Sequence, residues 1–386
     1  MQYRDFGKLD FRPSALGFGA MRLPVLAGAD GKPDFKQIDY PLATQMLHRA
    51  IDGGVNYVDT AWMYHEDTCE TWLGEALKGG YRERVKLATK MPVWNVEKPD
   101  DFDRILGIQL ERLQDDHIDY YLFHSLDADH WRMVLEQGQL ASAERALADG
   151  RIGHLGFSFH GVYEDFERIL AATDLWEFCQ IQYNYMDEDY QAGRAGLELA
   201  AGKGLGVIVM EPVRGGALAR NLPPQIEAVW DEAPVHRSPA EWALQWVWNA
   251  PEVSFLLSGM TTMAQVEENL VLADRSRPGL LTEEELALVA RVRDLYRELS
   301  PIPCTSCRYC MPCAQGVAIP DVFELYNDAH MFDNLQRQQM AYRVFFSDEE
   351  RADACTACGE CVEKCPQGIA IPAWMEKAQA FLAPAD

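Results

Sequence analysis

The sequence is short of positive charge. Lysine and arginine total 35 against 60 aspartates and glutamates, a net charge of −25. Such a surface repels phosphate backbones, which argues against nucleic acid as a partner, and disfavours an anionic membrane face for the same reason. The acidity is not concentrated. Residues 301–386 hold 12 acidic and 6 basic residues, near their share by length, so the charge reads as solubility rather than as a docking face. No apolar run is long enough to span a bilayer. The opening MQYRDFGKLDFR lacks an apolar core and carries Asp5 and Asp10, unlike a secretory leader. A soluble cytoplasmic protein is expected. No G-x-G-x-x-G follows the first apolar run, which weighs against a doubly wound dinucleotide-binding sheet. Cysteine is nearly absent from most of the chain: of ten, only Cys69 and Cys179 lie outside two short runs near the end.

What is present is an alternation. Short apolar runs occur at 15–21, 55–60, 85–90, 118–124, 152–158, 178–184, 206–212 and 253–259, with amphipathic segments between them. In 41–52, Pro41 suits a first helical turn and Leu42, Met46, Leu47 and Ala50 share one face. Gly53, Gly79 and Gly150 follow helices, where a left-handed cap is expected. Eight strands alternating with helices predict an α/β (β/α)8 TIM barrel over residues 1–299. Residues 282–299 form one more helix, Pro301 and Pro303 break the chain, and residues 300–386 form a separate, mainly helical domain.

Barrel chemistry gathers where strands end at the C-terminal face. Reading those ends gives Asp59, with Tyr64 five residues on, then Lys90, His124, Ser158, Gln182, Glu211 and Ser258. A buried lysine beside an aspartate stabilises phenolate and brings a tyrosine toward the range of a general acid, while a histidine orients a carbonyl oxygen. Taken singly, each residue has an ordinary role: a solvated tip, a helix cap or a local hydrogen bond. Together on one rim they form a catalytic set. Trp62, Trp94 and Trp131 crowd the same rim, either walling a flat or apolar substrate or simply packing.

These residues carry a resemblance to the aldo/keto reductases over roughly residues 4–272. GGVNYVDTAWMYHEDTCETWLGEAL at 53–77 resembles the family's Asp-to-Tyr segment, LATKMP at 87–92 its lysine strand, and DYYLFHSLD at 119–127 its histidine strand. The resemblance implies a tetrad of Tyr64, Asp59, Lys90 and His124, with Tyr64 as proton donor to a small carbonyl substrate, or acceptor from an alcohol. It implies a nicotinamide coenzyme, NADP or NAD, across the barrel mouth. Ser158 and Gln182 match its carboxamide positions. MEPVRGGAL at 210–218, with Met210, Arg214 and Gly216, matches the pyrophosphate loop. SGMTTMAQVEENL at 258–270, with Ser258, Gly259, Gln265 and Asn269, matches the adenosine loop. Three departures stand out. Phe159 and His160 follow Ser158 where the family often has Asn. Met210 falls where an aromatic ring usually stacks on nicotinamide, a softer partner. Residues 258–270 contain no Lys or Arg for a 2′-phosphate and carry Glu267 and Glu268 instead.

The two cysteine runs are CTSCRYCMPCAQGVAIP at 304–320 and CTACGECVEKCPQGIAIP at 355–372, one unit used twice. The second has the C-x2-C-x2-C-x3-C-P spacing of bacterial ferredoxins, in which the last cysteine of each run serves the other cluster. The first is one residue shorter before its last cysteine. The expected ligand sets for two [4Fe–4S] clusters are therefore Cys304, Cys307, Cys310 and Cys365, and Cys355, Cys358, Cys361 and Cys313. Zinc ribbons also use C-x2-C pairs, but two sets of four suit cubanes better. The 41 residues between Cys313 and Cys355, with 321–346 read as helical, suggest the helical dicluster type.

Hydride transfer moves electrons in pairs and a cubane passes one. Three functions are compatible with both: a nicotinamide-dependent carbonyl reductase whose clusters relay or sense electrons; a ferredoxin-linked oxidoreductase with a flavin in the barrel; and a redox-sensor or electron-transfer subunit, against which the complete tetrad counts.

Overall fold

The computed structural model describes residues 1–29, 31, 33–304 and 308–383. They fall into two compact units: Met1–Gly215 with Ala240–Thr282, and Gly216–Pro239 with the chain from Glu283 onward.

In the first unit eight parallel strands close into a barrel. They are β1 (Leu16–Gly19), β4 (Tyr57–Asp59), β5 (Lys86–Met91), β6 (Ile118–Leu126), β7 (Ile152–Phe159), β8 (Phe178–Gln182), β9 (Gly206–Met210) and β10 (Phe255–Gly259). Each pairs with its neighbour in sequence and β10 returns to β1. These are the eight apolar runs of the sequence. The remaining strands, β2 (Val25–Ala27) and β3 (Pro33–Ile38), form an antiparallel hairpin outside the barrel. It is not legible in the sequence because most of its residues are exposed and carry no alternating apolar pattern.

Strand side chains alternate, so each barrel strand fills the interior with every second residue. Tyr57, Ala88, Tyr120, Leu122, Phe178, Ile208, Phe255 and Leu257 form the inner core together with Phe6 from the N-terminal segment. A Cβ at Gly206 would lie 2.1 Å from the Phe6 ring, so the plug requires glycine there. One alternation further along, the same strands present Asp59, Lys90, His124, Gln180 and Met210. The apolar core thus sets the register of the polar layer above it.

The surrounding helices follow local rules. In Tyr40–Asp52, Asp39 caps the N-terminus through Leu42 N at 3.1 Å, and Ala43, Met46, Leu47 and Ala50 are buried. Gly79 and Gly150 are left-handed as expected (φ 73° and 82°). Gly53 is not: its φ is −78° and Gly54 makes the turn at φ 100°. Gly53 is needed for space instead, since a Cβ there would meet Leu270 at 2.7 Å.

The second unit is helical, with Pro224–Asp231, Glu283–Glu298, Ile319–Met331, Leu335–Phe345, Glu360–Lys364 and Ile371–Leu382. The repeated Q-G-x-A-I-P ends start two equivalent helices, at Ile319 and Ile371, each with proline in the first turn. The single helix expected over 321–346 is two, broken around Asp333 (φ 45°). Val322, Phe323, Tyr342, Ile371 and Met375 centre a core against which the cluster-run cysteines pack. Among the described residues no helix is long and apolar enough to cross a membrane.

Candidate active site and cluster recess

The polar layer of the barrel is built around one ammonium group. Lys90 Nζ donates to Asp59 Oδ1 at 2.6 Å, to the Thr60 carbonyl at 2.8 Å and to Tyr64 Oη at 3.4 Å. The Lys90 and Asp59 side chains are 1% and 3% exposed, so the pair lies in a low-dielectric interior. Burial lowers the Lys90 pKa, but Asp59 and Tyr64 outweigh it and hold it above its ordinary value. Burial raises the Asp59 carboxyl and Lys90 pulls it back. Tyr64 departs from the sequence expectation: burial raises its pKa by more than Lys90 lowers it. The hydroxyl therefore keeps its proton at neutral pH, the state a proton donor needs.

His124 is 8% exposed, with its ring centroid 6.3 Å from that of Tyr64. Burial, reinforced by Lys90, His160 and His130, lowers its pKa well below the ordinary histidine range. It is a neutral imidazole, and its Nδ1 is buried without a partner among the described residues. Of the three tryptophans, only Trp94 meets this centre, its ring 5.1 Å from His124. Trp131 is 5% exposed and packs on Trp176, so it is not a pocket wall. Trp62 lies under the Arg112 guanidinium at 4.0 Å.

The segment carrying Tyr64 has an unusual backbone. His65, Glu66 and Asp67 are all left-handed, with φ of 52°, 51° and 68°. Each such non-glycine residue costs about 1–2 kcal/mol, so neighbouring contacts must hold the loop. Behind Lys90, Glu70 is fully buried and accepts from Thr89 Oγ1 and Gln109 Nε2, both at 2.7 Å. Gln109 Nε2 also donates to the Lys90 carbonyl at 3.0 Å. Buried Glu70 and Gln109 are invisible to motif reading because their helices show only ordinary amphipathic spacing.

The remaining sequence candidates divide. Ser158 Oγ accepts from Ser125 N at 2.7 Å beside this layer. Gln182 Nε2 donates to Asp187 at 2.8 Å, and the same carboxylate oxygen accepts from Asn184 at 2.8 Å and Arg214 Nε at 3.2 Å. Gln182 and Arg214 are thus tied to a buried aspartate. One alternation deeper in β8 lies Gln180; its Oε1 is buried without a partner among the described residues and its Nε2 lies 3.7 Å from Met210 Sδ. Gln180 was missed because the apolar run hides it. Ser258 Oγ accepts from Asn269 Nδ2 at 3.0 Å. Gln265 forms a capping box with Thr262 at the start of helix Met263–Arg275. Gly259 lies beside Arg22, whose side chain a Cβ would meet at 3.1 Å. Glu267 is held by Arg49 through two bonds of 2.7 Å. Gly216 is left-handed at φ 98° and opens the second unit.

In the second unit Cys310, Cys313, Cys355, Cys358 and Cys361 line one recess. Burial raises the Cys361 thiol, and the nearby Cys355, Cys358 and Cys313 add to the rise. These four make up one of the two expected ligand sets, including the cysteine taken from the other run. Cys304 and Cys365 pack against the same core; Cys307 lies outside the described residues. Among the described residues no group of three or more His, Cys, Asp or Glu converges closely enough for a single ion. The thiols that line this recess fit a cubane, which needs four spaced thiolates.

A closed (β/α)8 barrel with a Tyr–Lys–Asp site at the C-terminal ends of its strands, joined in one chain to a thiol-lined helical unit, defines an iron–sulfur oxidoreductase. Residues 15–293 match the aldo/keto reductase family and residues 303–370 the 4Fe-4S dicluster domain. The chain belongs to the aldo/keto reductase family. An uncharacterized oxidoreductase of Bacillus subtilis, YrpG, is 28% identical over 240 residues, covering 56% of this chain and 68% of that protein. The aldo-keto reductase AKR11C1 from Bacillus halodurans, in its holo form, superposes with a TM-score of 0.62 at 25% identity, covering 76% of this chain and 96% of that one. An aldo/keto reductase from Klebsiella pneumoniae in complex with NADP and acetate superposes with a TM-score of 0.59 at 23% identity, covering 75% and 95%.

Proposed function

We propose that the barrel interconverts a small-molecule carbonyl and alcohol with a nicotinamide coenzyme, Tyr64 donating the proton in reduction. The observation that carries this reading is the buried Lys90 ammonium bonded to both Asp59 and Tyr64. The coenzyme supplies a hydride when bound. Tyr64 holds a proton at the position where a carbonyl oxygen gains charge. Lys90 stabilises the phenolate left behind, and Asp59 keeps Lys90 charged. Neutral His124 orients the carbonyl oxygen, and Trp94 forms an apolar wall beside it. Ser158, Met210, Ser258, Gly259 and Asn269 are assigned to coenzyme binding. Gln180, with its unpaired buried Oε1, is a better match than Gln182 for an amide donor. NADP binding in the Klebsiella relative supports a nicotinamide coenzyme; no cation in 258–270 selects a 2′-phosphate, so we assign no preference for NADPH over NADH.

We assign the eight cysteines to two [4Fe–4S] clusters in the crossed pattern, with Cys307 completing the first set. Such clusters supply or accept single electrons, which makes ferredoxin, or another one-electron carrier, the expected protein partner; free thiolate ligands suit a reducing cytoplasm. The missing cation in 258–270 also favours a second reading, a flavin in the barrel coupling one- and two-electron steps. Acid release separates the two: a yellow supernatant from anaerobically purified protein supports the flavin. A colourless one, with Tyr64-dependent oxidation of NADPH or NADH by a carbonyl, supports the first.

A further inference from the structure

We infer that His65 is a positioning residue that locks Tyr64 in its working geometry by pinning the left-handed turn after it to the β2–β3 hairpin. This rests on the reading of Tyr64 as proton donor. The turn is three consecutive non-glycine residues, His65, Glu66 and Asp67, in a conformation L-residues avoid. Such a turn persists only where its surroundings over-determine it, and here they do. His65 is 6% exposed. Its Nδ1 lies 2.9 Å from the Phe35 carbonyl in β3, and its Nε2 lies 3.3 Å from the Leu23 amide just before β2. Thr68 closes the turn, with Oγ1 2.7 Å from the His65 carbonyl and 3.3 Å from the Lys36 carbonyl.

The partners fix the chemistry of the ring. A carbonyl only accepts, so Nδ1 carries the proton; an amide N–H only donates, so Nε2 is bare. His65 is the neutral Nδ1–H tautomer, and burial keeps it neutral against the pull of the Phe35 and Ala20 carbonyls. No other neutral side chain of similar size donates and accepts at those two points except glutamine. The hairpin, which adds nothing to the barrel, thereby acquires a role: it is the anchor on the far side of the clamp. Releasing it lets the segment relax, exposes the half-buried Tyr64 further, and lengthens the 3.4 Å contact to Lys90.

Full-length, cluster-loaded wild type, His65→Ala and His65→Gln test this, each paired with a Tyr64→Phe counterpart. The difference in ultraviolet phenolate absorbance within each pair isolates the ionisation of Tyr64 without any substrate. NADPH-dependent reduction of 4-nitrobenzaldehyde gives kcat and KM. In His65→Ala, Tyr64 titrates lower, back toward 10, and kcat falls on the order of 10²-fold with the KM for NADPH unchanged. His65→Gln restores both. An Ala variant that titrates and turns over like wild type, or Ala and Gln variants equally impaired, overturns the clamp. If His65→Ala does not fold, ¹⁵N spectra of the wild-type histidines decide: an Nδ1–H tautomer for His65 at pH 7 supports the clamp, and an Nε2–H tautomer or imidazolium overturns it. If the aldehyde is not reduced in a Tyr64-dependent way, the proposed function fails, and the titration still decides the role of His65.

Discussion

Removing the charge from Lys90 is the perturbation whose consequences are best determined. At 2.6 Å and an effective dielectric of about 20, the Lys90–Asp59 attraction is about 6 kcal/mol. Desolvation of both groups offsets much of it, so the pair is a poor source of net stability. Breaking it from one side is different. Lys90→Met leaves Asp59 buried without its counter-charge, and Asp59→Asn leaves the Lys90 ammonium buried with only the Thr60 carbonyl and the Tyr64 hydroxyl. Each costs about 3–5 kcal/mol, a large fraction of the 5–15 kcal/mol typical of a folded domain. The double variant Asp59→Asn/Lys90→Met buries no charge and recovers most of that loss. Activity does not follow stability: Lys90→Met and the double variant lose carbonyl reduction, because neither places an ammonium beside Tyr64, whereas Asp59→Asn keeps Lys90 beside Tyr64 but removes the carboxylate that holds it charged. Urea denaturation monitored by tryptophan fluorescence gives the stabilities, and coenzyme oxidation gives the rates. If the double variant loses the sum of the single costs, the two groups are not coupled and the picture of one charge-balanced site is wrong.

Other outcomes follow from the same geometry. The proton on Tyr64 is retained until pH rises through a pKa lifted above 10, and His124 gains a proton only as pH falls well below 6.5, so reductive kcat/KM is flat between pH 6.5 and 10. A profile falling near pH 7 would assign the donor elsewhere. Cys313→Ser and Cys361→Ser each remove one cluster, and the double variant removes no more than either alone, as iron analysis and low-temperature EPR would show; additive loss would contradict the crossed ligands. Gln180→Leu raises the KM for coenzyme by more than Gln182→Leu does, measured by initial rates. Trp94→Ala raises KM for aromatic aldehydes, whereas Trp131→Ala lowers the unfolding midpoint, with no change in substrate preference.

The barrel was legible because each strand is a short, largely apolar run, as burial on both faces demands. Asp59, Lys90 and His124 were legible as the polar residues that interrupt or end those runs. The hairpin was not: its strands bury too little to leave a pattern, although Phe35 and Leu23 hold the segment beside Tyr64. For Trp131 the sequence leaves substrate wall and packing both open, and packing against Trp176 decides for the core. Arg214 and Gln182 read as coenzyme ligands from local motif position. The buried Asp187 that binds both lies several residues from either motif, and only the fold brings it between them. The dicluster domain is legible from the cysteine spacing, which is local to each run, and the fold brings Cys313 into one recess with Cys355, Cys358 and Cys361.

The central claim is that Tyr64 is the proton donor of a hydride-transferring barrel. Single-turnover oxidation of bound NADPH by 4-nitrobenzaldehyde, in wild type and Tyr64→Phe with intact clusters, tests it most directly. The account predicts a rate about 10²–10⁴-fold lower in Tyr64→Phe with coenzyme affinity unchanged. Equal rates in the two proteins would contradict it.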